Sequence, residues 1–126
     1  MARPVRQFEP LWLDNHFKRE FRRLPRPQQE RRLQELADLA TALGQCGHPT
    51  HDPSLAPWRP SAYHVPRVPP SVRLFEYRCD YPLRVIARWI EPSEEEPEGA
   101  VLLVAATLSH DHQRLREVIG NYRADL

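Results

Sequence analysis

VRLFEYRCDY (residues 72–81), LRVIARWI (83–90) and AVLLVAATLSHDHQRL (100–115) are the three runs whose reading decides the fold. Side chains of a strand alternate between faces, so Leu83, Val85, Ala87 and Trp89 point one way, and Arg84, Ile86 and Arg88 the other. Asp80-Tyr81-Pro82 reads as the turn between a strand at Val72–Cys79 and one at Leu83–Ile90. Ala100–Leu108 is apolar on both faces, which marks a central strand. Residues 91–99 then form a long acidic hairpin loop, and the three strands make a meander carrying Arg73, Arg78, Arg84 and Arg88. The last strand ends abruptly in Ser109-His110-Asp111-His112. Arg114–Tyr122 closes the chain as a short helix, with Leu115, Val118, Ile119 and Tyr122 on one side.

Upstream, Val5–Glu9 reads as a short strand ended by Pro10. In LWLDNHFKREFRRL (11–24), Leu13, Phe17, Phe21 and Leu24 recur at helical spacing, and Pro25-Arg26-Pro27 stops that helix. A second helix runs from about Gln28 to Leu43, with Leu33, Leu36, Ala40 and Leu43 as its stripe and Gly44 as its stop. Arg31 and Glu35 are spaced to pair on its exposed side. Two helices so closely joined predict an αα-hairpin. Residues 44–70 hold seven prolines and little periodicity, which predicts an irregular connection with one short strand at Ala62–Val65. Neither side of it is large enough to stand alone, so residues 1–126 are read as one α+β domain.

Charge is unevenly spread. The chain is formally +1, yet Glu91, Glu94, Glu95, Glu96 and Glu98 are five of its seventeen acids. Setting them aside leaves eighteen basic against twelve acidic side chains, a body suited to phosphates. All but one of the basic residues are arginines, whose fork geometry matches phosphate oxygens. The longest apolar run, Ala100–Ala106, is too short to span a bilayer, so no membrane association is expected. The opening residues, MARPVRQFEP, lack a secretory apolar core. Cys46 and Cys79 are therefore expected to be reduced thiols in the cytoplasm.

Three constellations carry possible chemistry. The arginines on the sheet, with His110, could hold a polyanion through charge-assisted hydrogen bonds; they could equally solvate a half-buried sheet. His110 and His112 are suited to moving a proton near neutral pH, or to ending a strand in polar residues. Cys46, His48, His51 and Asp52 are metal-ligand types, and His64, Cys79, His110 and His112 could complete a set, but no CxxC pair or established zinc spacing joins them, so neither metal nor cofactor is expected. The chain has no GxSxG elbow and no glycine-rich phosphate loop.

A short strand, an αα-hairpin and an arginine-bearing meander together resemble the RelE/ParE toxin superfamily, and HigB-type members within it. The likeness lies in Leu74-Phe75-Glu76-Tyr77-Arg78, in Leu83-Arg84-Val85-Ile86, and in Val101-Leu102-Leu103-Val104 running on to His110. It implies a RelE-like α+β fold, with the N-terminal hairpin packed on a small, mainly antiparallel sheet and a short C-terminal helix. It implies the toxin of a type II toxin–antitoxin system: a ribosome-dependent mRNA endonuclease (mRNA interferase), neutralised by a cognate antitoxin. Its partners would be that antitoxin, the ribosome and mRNA. ParE-like members instead act on DNA gyrase without cutting RNA, and a non-catalytic, protein-binding role is the alternative. By motif position, Arg78 and Arg84 would stabilise the phosphate and His110, or His112, would transfer the proton. Arg73, Arg88 and Arg114 would bind RNA. Sheet lysines common in the superfamily are absent, and its usual tyrosine position falls near Leu115 and Arg116.

Overall fold

In a computed structural model describing residues 2–126, the chain is α+β, with a five-stranded mixed sheet. In chain order the elements are β1 (Val5–Gln7), α1 (Asn15–Arg22), α2 (Arg26–Gln45), β2 (Ser61–Ala62), β3 (Arg73–Arg78), β4 (Arg84–Ile90), β5 (Ala100–Thr107) and α3 (His112–Asn121). Short 3₁₀ turns occupy Pro53–Trp58 and Arg123–Asp125. The strand order is β1-β5-β4-β3-β2. β1 pairs parallel with β5, and every other pairing is antiparallel.

Residues placed by simple physics set the helix boundaries. Asp14 begins α1, its carboxylate accepting the Phe17 N–H at 2.9 Å. Leu13 stays outside the helix in a left-handed conformation, φ 51°, so the apolar spacing that starts at Leu13 overshoots the helix by two residues. Pro27 sits in the first turn of α2, where its missing N–H costs no hydrogen bond. α2 runs two residues further at each end than the periodicity predicts. Its stripe is also rotated: Leu39 and Leu43 are buried, whereas Leu33 is 50% exposed. The short strand of the proline-rich connection is Ser61–Ala62 instead of Ala62–Val65, and α3 begins two residues before the expected Arg114.

Both faces of the sheet are covered. Phe17, Leu39 and Leu43 of the helical hairpin pack on Phe75, Tyr77, Val85, Trp89, Val101 and Leu103. The Tyr77 hydroxyl is satisfied inside this core by the Pro49 carbonyl at 2.8 Å, a bond contributing about 1 kcal/mol. The other face holds a second core in which Leu115 and Ile119 of α3, with Tyr63 and Val65, meet Leu74, Ile86 and Val104. The sequence predicts arginines across this second face; apolar packing fills most of it, Arg78 and Arg84 lie together at one end, and Arg88 is partly buried against the core.

A bulge in β5 places the end of that strand. Ile86 faces Ala105 but Ala87 faces Leu103, so Val104 is an extra residue on β5. Val101 and Leu103 lie on the hairpin side before the bulge. Beyond it Ala106 and Leu108 lie there, and Thr107 comes opposite Arg84. The acidic loop lies at the other end of the sheet. Arg6 pairs with Glu96, Arg73 with Glu91 at 2.7 Å, and the Arg3 guanidinium lies 3.8 Å over Trp89. Gly99, φ 71°, closes that loop; a Cβ there would meet the Ile90 carbonyl at 2.7 Å.

Candidate functional site

The polar side chains concentrate at the end of the sheet that holds the β3–β4 turn and the exit of β5. Arg78 and Arg84 are cross-strand partners flanking that turn. Between them lies Glu76, only 8% exposed, whose Oε1 accepts from Arg78 Nε at 3.4 Å and from Arg84 Nη1 at 3.3 Å. One carboxylate oxygen thus orients two guanidinium groups, and their remaining donors are left for an external anion. Like charges at neighbouring strand positions would repel without that shared acid.

The turn between these arginines carries Tyr81, 69% exposed, whose hydroxyl is hydrogen-bonded to the His110 ring Nε2. The rings lie 4.9 Å apart between centroids. Two groups able to pass a proton therefore meet beside the arginine pair's turn. From below, α2 holds this turn: buried Arg32 donates from Nη2 to the Tyr81 carbonyl at 3.0 Å, and Glu35 accepts the Asp80 N–H at 2.6 Å. Arg32 Nη1 also lies 3.8 Å from Glu35 and 3.7 Å from Asp80. The spacing that suggests an Arg31–Glu35 pair is thus answered by Arg32.

Glu35 gives this support a pH dependence. Burial holds its carboxyl above its ordinary value, against the lowering effect of the Asp80 hydrogen bond; the Asp80 charge adds to the rise. The folded state then binds this proton more tightly than the unfolded chain does. Its contribution favours folding below the ordinary glutamate range and is lost as pH rises through the raised value. Glu35→Gln keeps an acceptor for the Asp80 N–H and is expected to flatten the stability profile from about pH 4.5 upward. Urea midpoints at steps of pH measure this; an unchanged profile would show that Glu35 does not set it.

The other expected residues are spread out. Asp111, not a histidine, caps α3 by accepting the Arg114 N–H at 3.0 Å, and His112 follows as the first, half-buried residue of that helix. Arg114 Nη1 donates to Asp14 at 3.0 Å, so it ties α3 to the start of α1. Arg88 faces the second core four residues along β4 from Arg84, about 13 Å away. Its Nε is buried without a partner, and burial pushes the guanidinium below its ordinary range. Arg73 lies on the hairpin side at the acidic end, about 16 Å along β3 from Arg78, and is held by Glu91. The structure brings together Arg78, Arg84 and the turn facing His110; it does not bring Arg73, Arg88 or Arg114 there.

Sequence reasoning missed Glu76, Tyr81, Tyr63 and Arg116. Glu76 was inside the quoted motif, and its alternation with Arg78 on one strand face was the available signal. Tyr63 and Arg116 come from the proline-rich connection and α3, and no local spacing links them. Their geometry is nonetheless definite: the Arg116 guanidinium lies 5.6 Å over the Tyr63 ring. Burial pushes the Tyr63 hydroxyl up to about 12, with Arg116 lowering it and Glu76 raising it. Cys46, His48, His51 and Asp52 stay in their own loop, where His48 Nδ1 accepts backbone N–H groups of Thr50 and His51. Among the described residues no group of three or more His, Cys, Asp or Glu is placed to hold a metal, and no helix is long and apolar enough to cross a membrane.

No protein-family model matches the chain, and no curated protein or solved structure is similar enough to count as a match.

Proposed function

We propose that this chain is a RelE-type endoribonuclease, the toxin of a toxin–antitoxin pair, acting on mRNA in the ribosome. The observation that carries this reading is the Arg78–Glu76–Arg84 cluster sharing one sheet end with the Tyr81–His110 pair. The element order supports it: a strand, a helical hairpin, a three-stranded meander and a C-terminal helix are the features on which the resemblance rests.

The reaction asks little of the protein beyond these groups. The 2′-hydroxyl of RNA attacks the adjacent phosphorus, the bond to the 5′-oxygen breaks, and a 2′,3′-cyclic phosphate and a 5′-hydroxyl result. Arg78 and Arg84 stabilise the charge on the non-bridging oxygens. His110, hydrogen-bonded to Tyr81, either takes the proton of the 2′-hydroxyl or gives one to the departing 5′-oxygen, and solvent water carries the other. The nucleophile belongs to the substrate, which accounts for a site without an activated serine or cysteine. Burial pushes the Cys79 thiol up to about 12, far from the range of a reactive thiolate.

Primer extension on a translated mRNA in a cell-free extract tests the proposal. New 5′ ends inside codons, dependent on both protein and ribosomes, are the expected result. Intact RNA with a folded, toxic protein would overturn it in favour of a protein target such as gyrase.

A further inference from the structure

A groove of about 300 Å³ runs between α3 and the chain segment that follows β2. Its floor is Val65 and Gly120, close enough that a Cβ on Gly120 would lie 3.7 Å from Val65. Arg67 and Arg116 line it with two cationic groups from opposite walls. The Arg67 stem lies over Gly120, and Arg116 is stacked over Tyr63, so both guanidinium groups are partly pre-oriented. Gln113 and Glu117 complete the helix wall, joined by a 3.2 Å hydrogen bond from Gln113 Nε2 to Glu117 Oε1.

Tyr63 lies between the groove and the arginine cluster, under Arg116 on one side and two residues from the Ser61–Glu76 pairing on the other. Ser61 lies opposite Glu76 in the β2–β3 pairing, and the Tyr63 N–H donates to the Leu74 carbonyl at 2.9 Å. The Tyr63 side chain is 7% exposed, and its hydroxyl feels the charges of both Arg116 and Glu76.

We propose that the groove holds one unstacked nucleotide of the single-stranded RNA, flanking the phosphate at Arg78 and Arg84. Its phosphate lies against Arg67 and Arg116, and its base enters over Val65 and Gly120. A groove of this size takes one base with its phosphate, and single-stranded RNA is read by splaying bases into such sites. The hydrogen bond between Gln113 and Glu117 leaves Glu117 Oε2 and Gln113 Oε1 as neighbouring acceptors. They select a base with an exocyclic amino group over uracil. This rests on the ribonuclease reading and adds a source of sequence preference to it.

The test is titration of the ¹⁵N-labelled full chain with short single-stranded oligoadenylate and oligouridylate, following amide and arginine side-chain signals. Expected are shifts at Arg67, Arg116 and Gly120 together with Arg78 and Arg84, and tighter binding of oligoadenylate. In a parallel anisotropy titration, the double variant Arg67→Ser, Arg116→Ser should bind oligoadenylate about tenfold more weakly, with a salt slope smaller by about 0.7 for one lost phosphate contact. Shifts confined to Arg78 and Arg84, or unchanged affinity in the double variant, would overturn the groove and leave the cleavage site standing. Shifts confined to the groove would overturn its place beside a phosphate at Arg78 and Arg84 and count against the cleavage site. Equal binding of oligouridylate would overturn the base selection, and no shift at either place would overturn both.

Discussion

Arg84→Ala is expected to slow ribosome-dependent mRNA cleavage by about 10²–10³-fold, the usual cost of removing one donor aimed at developing charge. Arg84 emerges at the start of β4, held on one side by Glu76 and facing Thr107 on the other. Its loss leaves Glu76 still paired with Arg78, so the carboxylate is not orphaned and the fold should survive with a thermal midpoint close to the parent's. Arg84→Lys should recover only part of the rate, because an ammonium supplies charge without the two-pronged contact. The rate of appearance of new 5′ ends, measured alongside thermal melting, decides the matter. A folded Arg84→Ala protein that cuts at the parental rate would remove the arginine pair from the mechanism.

Arg32→Ala should damage stability and activity together, although Arg32 belongs to a helix on the hairpin side. Arg32 is 8% exposed and faces Glu35, Asp80 and the Tyr81 carbonyl. Its removal leaves two carboxylates near one another and a carbonyl without its donor, a loss of about 3 kcal/mol. For a domain of this size the melting temperature should fall by roughly 10 °C. The turn bearing Tyr81 would then lose one of its two hydrogen-bond tethers to α2, and the Tyr81–His110 contact its alignment. At a temperature well below the midpoint, cleavage should still be reduced by about tenfold or more through misplacement of the proton-transfer pair. Lost stability with a normal rate at that temperature would show that the turn needs no such support.

The meander was legible because each of its strands announces itself by a different pattern. Leu83–Ile90 alternates, Ala100–Leu108 is continuously apolar, and Asp80-Tyr81-Pro82 punctuates them. Continuous apolarity, however, hides phase: nothing in AVLLVAAT signals that Val104 is the extra residue, yet that residue decides which face receives Thr107. The arginine pair followed from alternation alone. Arg73 shows where alternation was not carried far enough: its odd position on β3 puts it with Phe75 and Tyr77, away from Arg78. The covering of the second face was not legible, because it depends on a proline-rich segment without periodicity folding back beside α3. Arg114 and Arg32 likewise find their acids across long sequence separations, and pairs of that kind leave no mark in a local pattern.

The placing of the acidic loop has one more consequence. β4 separates it from the Arg84 end by about 20 Å, so a polyanion held by the arginines need not meet the loop's glutamates, part of whose charge Arg6 and Arg73 already answer. Glu94, Glu95 and Glu98 sit exposed on that loop. Distance then does what charge alone does not: the repulsion of these carboxylates is screened over such a span before it reaches the arginine end.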